Sequence, residues 1–278
     1  MSRMSVALTV AGHISPTVWV PLVRAGSVVA SLRPPRPLRR WQMNAEVVTG
    51  HRPTRQDTAR AAASWARNLV ESLQLERWSP DDVRRTVLSS DEHRQRLVEA
   101  HRNGGVVIGL PHMGSWDLAG AWACLNGLPV STVAEEIAEF AYFVAVREAL
   151  GMKVYGHRDH QSVAKLEADQ RDGRVVCLVT DRNFGRKGVP VTWQTGSGPV
   201  ALKMPAGAAH LSLETGATLF GVASCYEGRR MRLVVSDPIT GPDVESRDQQ
   251  LADFFCDQVR QNVVDWHVLM PFFPGVAA

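Results

Sequence analysis

His112 lies in the segment Pro-His112-Met-Gly114-Ser-Trp-Asp117, directly after the short apolar run Val106–Leu110 and before a stretch with helical periodicity. A histidine at a strand–turn–helix transition is well placed for proton transfer. Its ordinary pKa of about 6.5 is near the operating pH, so it can take a proton from a hydroxyl. The start of the following helix brings unbonded amides that suit a developing oxyanion or a phosphate. Asp117 comes five residues later. On a continuous helix five residues turn about 500°, which leaves the two side chains roughly 140° apart. They can meet only if His112 belongs to the turn, which Gly114 permits. In that arrangement the carboxylate would fix the imidazole tautomer and stabilise its protonated form. The other reading is that Asp117 caps the start of the helix.

Further acids follow other strand-like runs. Glu135 and Glu136 come after 129–134, and Asp181 closes 174–180 (RVVCLVT). In α/β sheets active groups gather beyond the carboxyl ends of the strands, so His112, Glu135 and Asp181 can share one crevice. His157-Arg-Asp-His160 has metal-like spacing but no second cluster to complete a ligand set, and it reads as polar surface. His267 reads as packing against the C-terminal helix. Trp116 and Trp122 read as core.

The elements that must position these residues alternate along the chain. Strands are predicted at 106–110, 129–134, 153–155, 174–180 and 217–226, with 231–235 pairing with the last of these. Helices are predicted at 115–126, 136–150, 161–170, 205–215 and 249–264. The pattern predicts an α/β fold with a mainly parallel central sheet flanked by helices. Residues 103–278 form this core, and residues 1–102 form a helical segment packed on it. That segment contains a helix at 56–76 and a second one from Ser79, with Pro80 at its first position, to about His101. The stretch 185–203 is expected to be the longest irregular segment.

The chain has 278 residues, 45% hydrophobic, with a formal charge of +3. Mild basicity favours anionic partners, but there is no long basic stripe of the nucleic-acid-binding kind. Four cysteines without CxxC spacing read as reduced, mostly buried thiols. Residues 6–32 are apolar-rich but interrupted by His13, Pro16, Pro21 and Arg24, and fall short of a spanning helix. Arg33, Arg36, Arg39, Arg40 and Trp41 follow. An apolar segment followed by arginines suits an anionic membrane surface, each basic residue adding roughly 1 kcal/mol. It equally suits a buried helix with a basic linker.

A histidine and an acid separated by four positions after a strand resembles the signature of the glycerolipid and lysophospholipid acyltransferase superfamily. Five segments in order, PHMGSWDLAGAW, TVAEEIAEFAYFVAVREALG, VVCLVTDRNFGRKGV, MPAGAAHLSLETGATLF and DWHVLMP, resemble the actinobacterial phosphatidylinositol mannoside acyltransferases, relatives of the lipid A late acyltransferases. The likeness runs over about 60–270. It implies transfer of a long acyl chain from acyl-CoA to a mannose hydroxyl of a phosphatidylinositol mannoside by a peripheral enzyme at the cytoplasmic face of the plasma membrane. It also implies that His112 is the general base and that the strand-end acid, here Asp181, orients it. Arg147 would hold an anionic group, and Glu135 would stand for the acid of an Ala-Glu pair. Read from residue type alone, Arg182, Arg186 and Lys187 suit the phosphates of coenzyme A and equally suit a solvated loop. No metal or cofactor is required, because the thioester donor is a substrate already activated.

The chain departs from that pattern in places. Asp181-Arg182-Asn183 stands where the relatives carry glutamate followed by Arg-Asp, so the shorter acid must come closer to His112 or pass the contact to Asp117. Glu136 replaces a basic residue. The loop VTWQTGSGPVALK replaces a more compact segment. Three other readings stay open: another glycolipid or a lysophospholipid as acceptor, a metal-dependent phosphoesterase using His112, Asp117 and Asp181 as ligands, and a non-catalytic lipid-binding relative.

Overall fold

The structure is a computed structural model and describes residues 12–136, 140–183 and 188–276. Three helices open the described chain: α1 (Pro16–Leu32), α2 (Arg36–Thr49) and α3 (Arg55–Gln74). Each begins on a residue that favours a helix start. Ser15 and Thr54 cap α1 and α3 with their side chains, and Pro35 precedes α2. Among the described residues no helix is long and apolar enough to cross a membrane. Positions 6–11 of the apolar segment lie outside the described residues.

The helix expected from Ser79 to His101 is two helices. α4 (Pro80–Thr86) ends at Val87, and β1 (Val87–Leu88) runs extended. α5 (Asp91–Arg102) then starts on its own cap, Ser90, whose hydroxyl accepts the His93 amide hydrogen. The signal was present in Ser90-Asp91-Glu92, a cap followed by acids at the positive end of a helix dipole. Because β1 pairs in parallel with a later strand, the N-terminal hundred residues contribute to the sheet as well as to its cover.

From there the chain alternates as its pattern predicts: β2 (Val106–Leu110), α6 (Trp116–Leu125), β3 (Val130–Ala134), α7 (Phe140–Ala149), β4 (Lys153–Gly156), α8 (Ser162–Arg171) and β5 (Val175–Val179). The helix expected from Glu136 is described only from Phe140. The stretch expected to be irregular is instead an antiparallel hairpin, β6 (Val189–Thr195) and β7 (Gly198–Met204). Its first strand buries alternate residues, Val189, Val191 and Trp193. That period of two was legible in VPVTWQT but was masked by the flanking glycines and prolines. The chain closes with α9 (Gly207–Thr215), β8 (Thr218–Glu227), β9 (Arg230–Val235) and α10 (Val244–Gln261).

Seven strands form one sheet in the order β1-β9-β8-β2-β5-β3-β4, parallel except for the β8–β9 pair. Both faces are covered, so β2 and β5 are almost continuously apolar, as buried parallel strands are. Leu118, Trp122 and Phe220 belong to one apolar cluster, Leu211, Leu251 and Phe255 to a second, and Leu38, Trp41, Ala45 and Ala61 to a third. The four cysteines are free thiols, three of them buried.

The segment after α10 folds back to the carboxyl ends of the strands. Trp266 is buried among Trp193, Phe272 and Phe273, with ring centroids 4.8 to 6.3 Å from it. From α2, the Trp41 indole N–H donates to the Trp266 carbonyl at 3.1 Å. The Asn44 amide donates to the carbonyls of Val268 and Met270. The N-terminal helices therefore hold the C-terminal segment against the sheet.

Candidate active site

β2 and β5 are adjacent and parallel, with Leu110 opposite Val179. The pairing continues past both strand ends through the Thr180 amide, which donates to the Leu110 carbonyl at 2.8 Å. Two residues further on each chain, in the same register, stand His112 and Asp181. The Asp181 carboxylate meets His112 twice. Its Oδ1 is 2.5 Å from the imidazole Nδ1, and its Oδ2 accepts the His112 backbone N–H at 3.0 Å. Oδ2 also accepts the Trp266 indole N–H at 2.9 Å. Aspartate is thus long enough here, because the ladder brings the two backbones close. Burial alone would raise the Asp181 pKa. The facing His112 and the hydrogen bonds from His112 and Trp266 outweigh that, and the carboxyl lies below its ordinary value. With a carboxylate on Nδ1, that nitrogen carries the hydrogen and Nε2 is left as the proton acceptor.

Asp117 lies elsewhere. Ser115 caps α6, with its hydroxyl accepting the Leu118 N–H, so Asp117 is in the first turn and faces Arg147. The Arg147 Nε and Nη2 donate to its two carboxylate oxygens at 2.6 and 3.4 Å. The expected His112–Asp117 contact is replaced by this buried ion pair, which ties α6 to α7. Arg147, expected to hold an anionic group of the substrate, spends two of its donor nitrogens inside the protein.

A third histidine-centred contact was not legible. His267 donates its backbone N–H to the His112 carbonyl at 2.7 Å, and Met113 bridges to Trp266. The His267 Nε2 is 2.9 Å from the Ser64 hydroxyl, which is 2.6 Å from Asp265 Oδ1. Burial, and secondarily the neighbouring His112, push the His267 pKa down to about 3, so it is neutral. The Ser64 hydroxyl donates to Asp265, so His267 must donate from Nε2 to the serine oxygen. Ser64 gave no local signal, and Asp265 and Trp266, although they open the segment DWHVLMP, gave none of their partners, since each acts on residues far away in the chain. Gly114 is held at φ 56°, and a Cβ there would lie 2.6 Å from the Ser224 carbonyl oxygen. The turn that carries His112 therefore requires glycine.

His112 lines a cavity of about 710 Å³ together with Trp116, Asp117, Arg147, Glu135 and Arg182. Glu135 is exposed. The Arg182 guanidinium is partly desolvated, which lowers its pKa, while Asp181 and Glu135 pull it back up. The rest of the lining is largely apolar, with Val106, Ile108, Trp122, Val175, Val222 and Leu233. Arg186 and Lys187 lie outside the described residues. Glu136 turns away to the β4 side, where it accepts the Arg158 N–H and its own N–H donates to His157 Nδ1. Among the described residues no group of three or more His, Cys, Asp or Glu side chains is arranged to hold a metal ion.

The sequence matches the family described as bacterial lipid A biosynthesis acyltransferase over residues 21–274. The chain belongs to this family. It is 37% identical over 189 residues to the phosphatidylinositol mannoside acyltransferase of Mycolicibacterium smegmatis, a match covering 65% of this chain and 60% of that protein. It is 36% identical over 176 residues to the protein of the same name from Mycobacterium tuberculosis, covering 60% of this chain and 54% of that one. The chain thus aligns with a little over half the length of these relatives.

Proposed function

We propose that the protein is a membrane-associated O-acyltransferase that moves a long acyl chain from acyl-CoA to a mannose hydroxyl of a phosphatidylinositol mannoside, at the cytoplasmic face of the plasma membrane. The observation that carries this reading is the Asp181–His112 dyad at a largely apolar cavity. The names of the two mycobacterial relatives support the choice of acceptor.

In this reading His112 Nε2 takes the proton of the sugar hydroxyl as its oxygen attacks the thioester carbonyl carbon. Asp181 holds the imidazole tautomer and offsets the charge of the imidazolium. The carbonyl oxygen becomes an oxyanion, and the amides at the start of α6 and the Arg182 guanidinium lie at the same cavity to stabilise it. The attack has already formed the ester C–O bond; collapse of the oxyanion restores the carbonyl and breaks the C–S bond. The departing thiolate takes the proton back from Nε2, so the histidine is regenerated. The acyl chain lies in the apolar cavity, where each buried methylene contributes about 0.8 kcal/mol.

The test is incubation with palmitoyl-CoA and a panel of mannosylated and plain phospholipids, with the product identified by mass. An acylated mannoside carrying one added palmitoyl group is expected, and His112→Ala is expected to abolish it along with acyl-CoA consumption. Unchanged turnover in that variant would overturn the reading. Acylation of a lysophospholipid alone would replace the acceptor.

A further inference from the structure

A second, larger cleft of about 1160 Å³ lies between α1, α3, α4 and the turn joining β8 to β9. Seven arginines line it against two carboxylates, Glu71 and Asp265. Among the described residues, four of the seven are partnered with carboxylates, Arg60 with Asp57 among them, and three are not. Arg67 is spent on Glu71, on the carbonyls of Gly228 and Arg229 and on the Tyr226 ring face. Arg84 and Arg85 pair with Asp81 and Asp82. Arg24, Arg229 and Arg230 are exposed, and among the described residues none has a carboxylate within ion-pairing distance. Three unpaired guanidiniums from two separate elements, turned to one cleft, make a receptor for phosphate oxygens.

The rest of the lining is apolar. α1 brings Trp19, Val20 and Val23 to the cleft. At 100° per residue its neighbouring face carries Val18, Leu22 and Val29, which are 50%, 65% and 67% exposed. A ligand that joins phosphate to acyl chains satisfies both surfaces, whereas a free phosphate or nucleotide satisfies only the first.

No described residue lines both this cleft and the reaction cavity. α3 runs between them, with Ser64, Arg67 and Glu71 on the cleft and Asn68, Leu69 and Ser72 on the reaction cavity. Ser64 and Asp265 of the cleft join through the serine hydroxyl to His267, whose backbone N–H holds the His112 carbonyl. The geometry points to a second lipid site, in which Arg24, Arg229 and Arg230 bind the phosphate headgroup of an anionic phospholipid that is not the acceptor being acylated. Its occupant sits against the back of the segment that positions His112.

The experiment is vesicle sedimentation of the full chain, read without turnover and so independent of the proposed reaction. Phosphatidylcholine vesicles with about a third phosphatidylglycerol are compared with phosphatidylcholine alone. The variant Arg24→Gln/Arg229→Gln/Arg230→Gln is compared with Arg94→Gln/Arg171→Gln/Arg260→Gln, which removes equal charge at exposed pairs outside the cleft. Circular dichroism melts confirm that both variants are folded. Binding of the native chain to anionic vesicles, weakened on the order of tenfold or more by the cleft variant and much less by the other, is expected. Equal loss in the two variants, or no loss in the first, overturns the site. Displacement from vesicles by millimolar inorganic phosphate beyond that by chloride at equal ionic strength also overturns it, since the ligand would then be the free anion.

Discussion

Asp181 meets His112 because β2 and β5 are in register two residues before either side chain appears: Leu110 faces Val179, and the same offset carried forward sets carboxylate against imidazole at 2.5 Å. The dyad is an extension of the sheet, and its precision comes from backbone pairing rather than from loop packing.

Asp181→Asn keeps the shape and the Trp266 contact but replaces a carboxylate oxygen facing Nδ1 with an amide. The imidazole then loses its fixed tautomer, and kcat is expected to fall on the order of 10²- to 10⁴-fold with KM little changed. Asp181→Glu preserves the charge, and it should recover a large part of that loss. Steady-state kinetics of the two variants check this. Equal activity of the asparagine variant and the native chain would show that Asp181 does not orient the base.

Arg147 and Asp117 form a buried pair, with side chains 15% and 8% exposed. Removing one partner leaves the other charged and desolvated. Asp117→Ala or Arg147→Ala is therefore expected to cost about 3 kcal/mol in urea unfolding. The double variant Asp117→Leu/Arg147→Met should recover most of it. If instead each single variant unfolds like the native chain while activity collapses, the pair belongs to the chemistry rather than to the frame.

The strand ends that converge on the cavity were legible because a parallel sheet announces itself in apolar runs followed by polar residues. Val106–Leu110 and 174–180 needed no long-range information to be placed. What sequence reading chose between, Asp117 and Asp181 as the partner of His112, depends on which strands are neighbours, and spacing along the chain does not encode that. The contacts of Ser64, Asp265 and Trp266 were out of reach for the same reason, although the last two open the segment DWHVLMP. The hairpin of β6 and β7 was missed differently: its alternation was visible, but turn residues on both sides dominated the reading.

The apolar lining below His112 sets the chain length of the donor if the acyl group lies there. Ala123, buried on α6, lines this cavity. Ala123→Leu fills part of it and is expected to move the preferred donor shorter by roughly two or three carbons, since each methylene is worth about 0.8 kcal/mol, or about fourfold in selectivity. Competition among acyl-CoA donors of graded length checks this. An unaltered preference would place the acyl chain elsewhere.

Asp248 on α10 is fully buried, and neither carboxyl oxygen has a hydrogen-bond partner among the described residues. Burial, and secondarily Glu245, push its pKa up to about 7. The unfolded value is near 3.9, so between pH 4 and 7 the folded state holds a proton that the unfolded state has lost. The unfolded state binds fewer protons over that window, and stability falls as pH rises, by on the order of 1 kcal/mol per unit for this group. The loss is complete once pH exceeds the folded value. Asp248→Asn carries no titrating proton and should flatten the slope between pH 4 and 7, leaving the variant more stable than the native chain by a few kcal/mol at pH 8. Chemical denaturation at a series of pH values reads both quantities. A variant less stable than the native chain at pH 8 would mean that Asp248 is ionised and compensated in the folded protein.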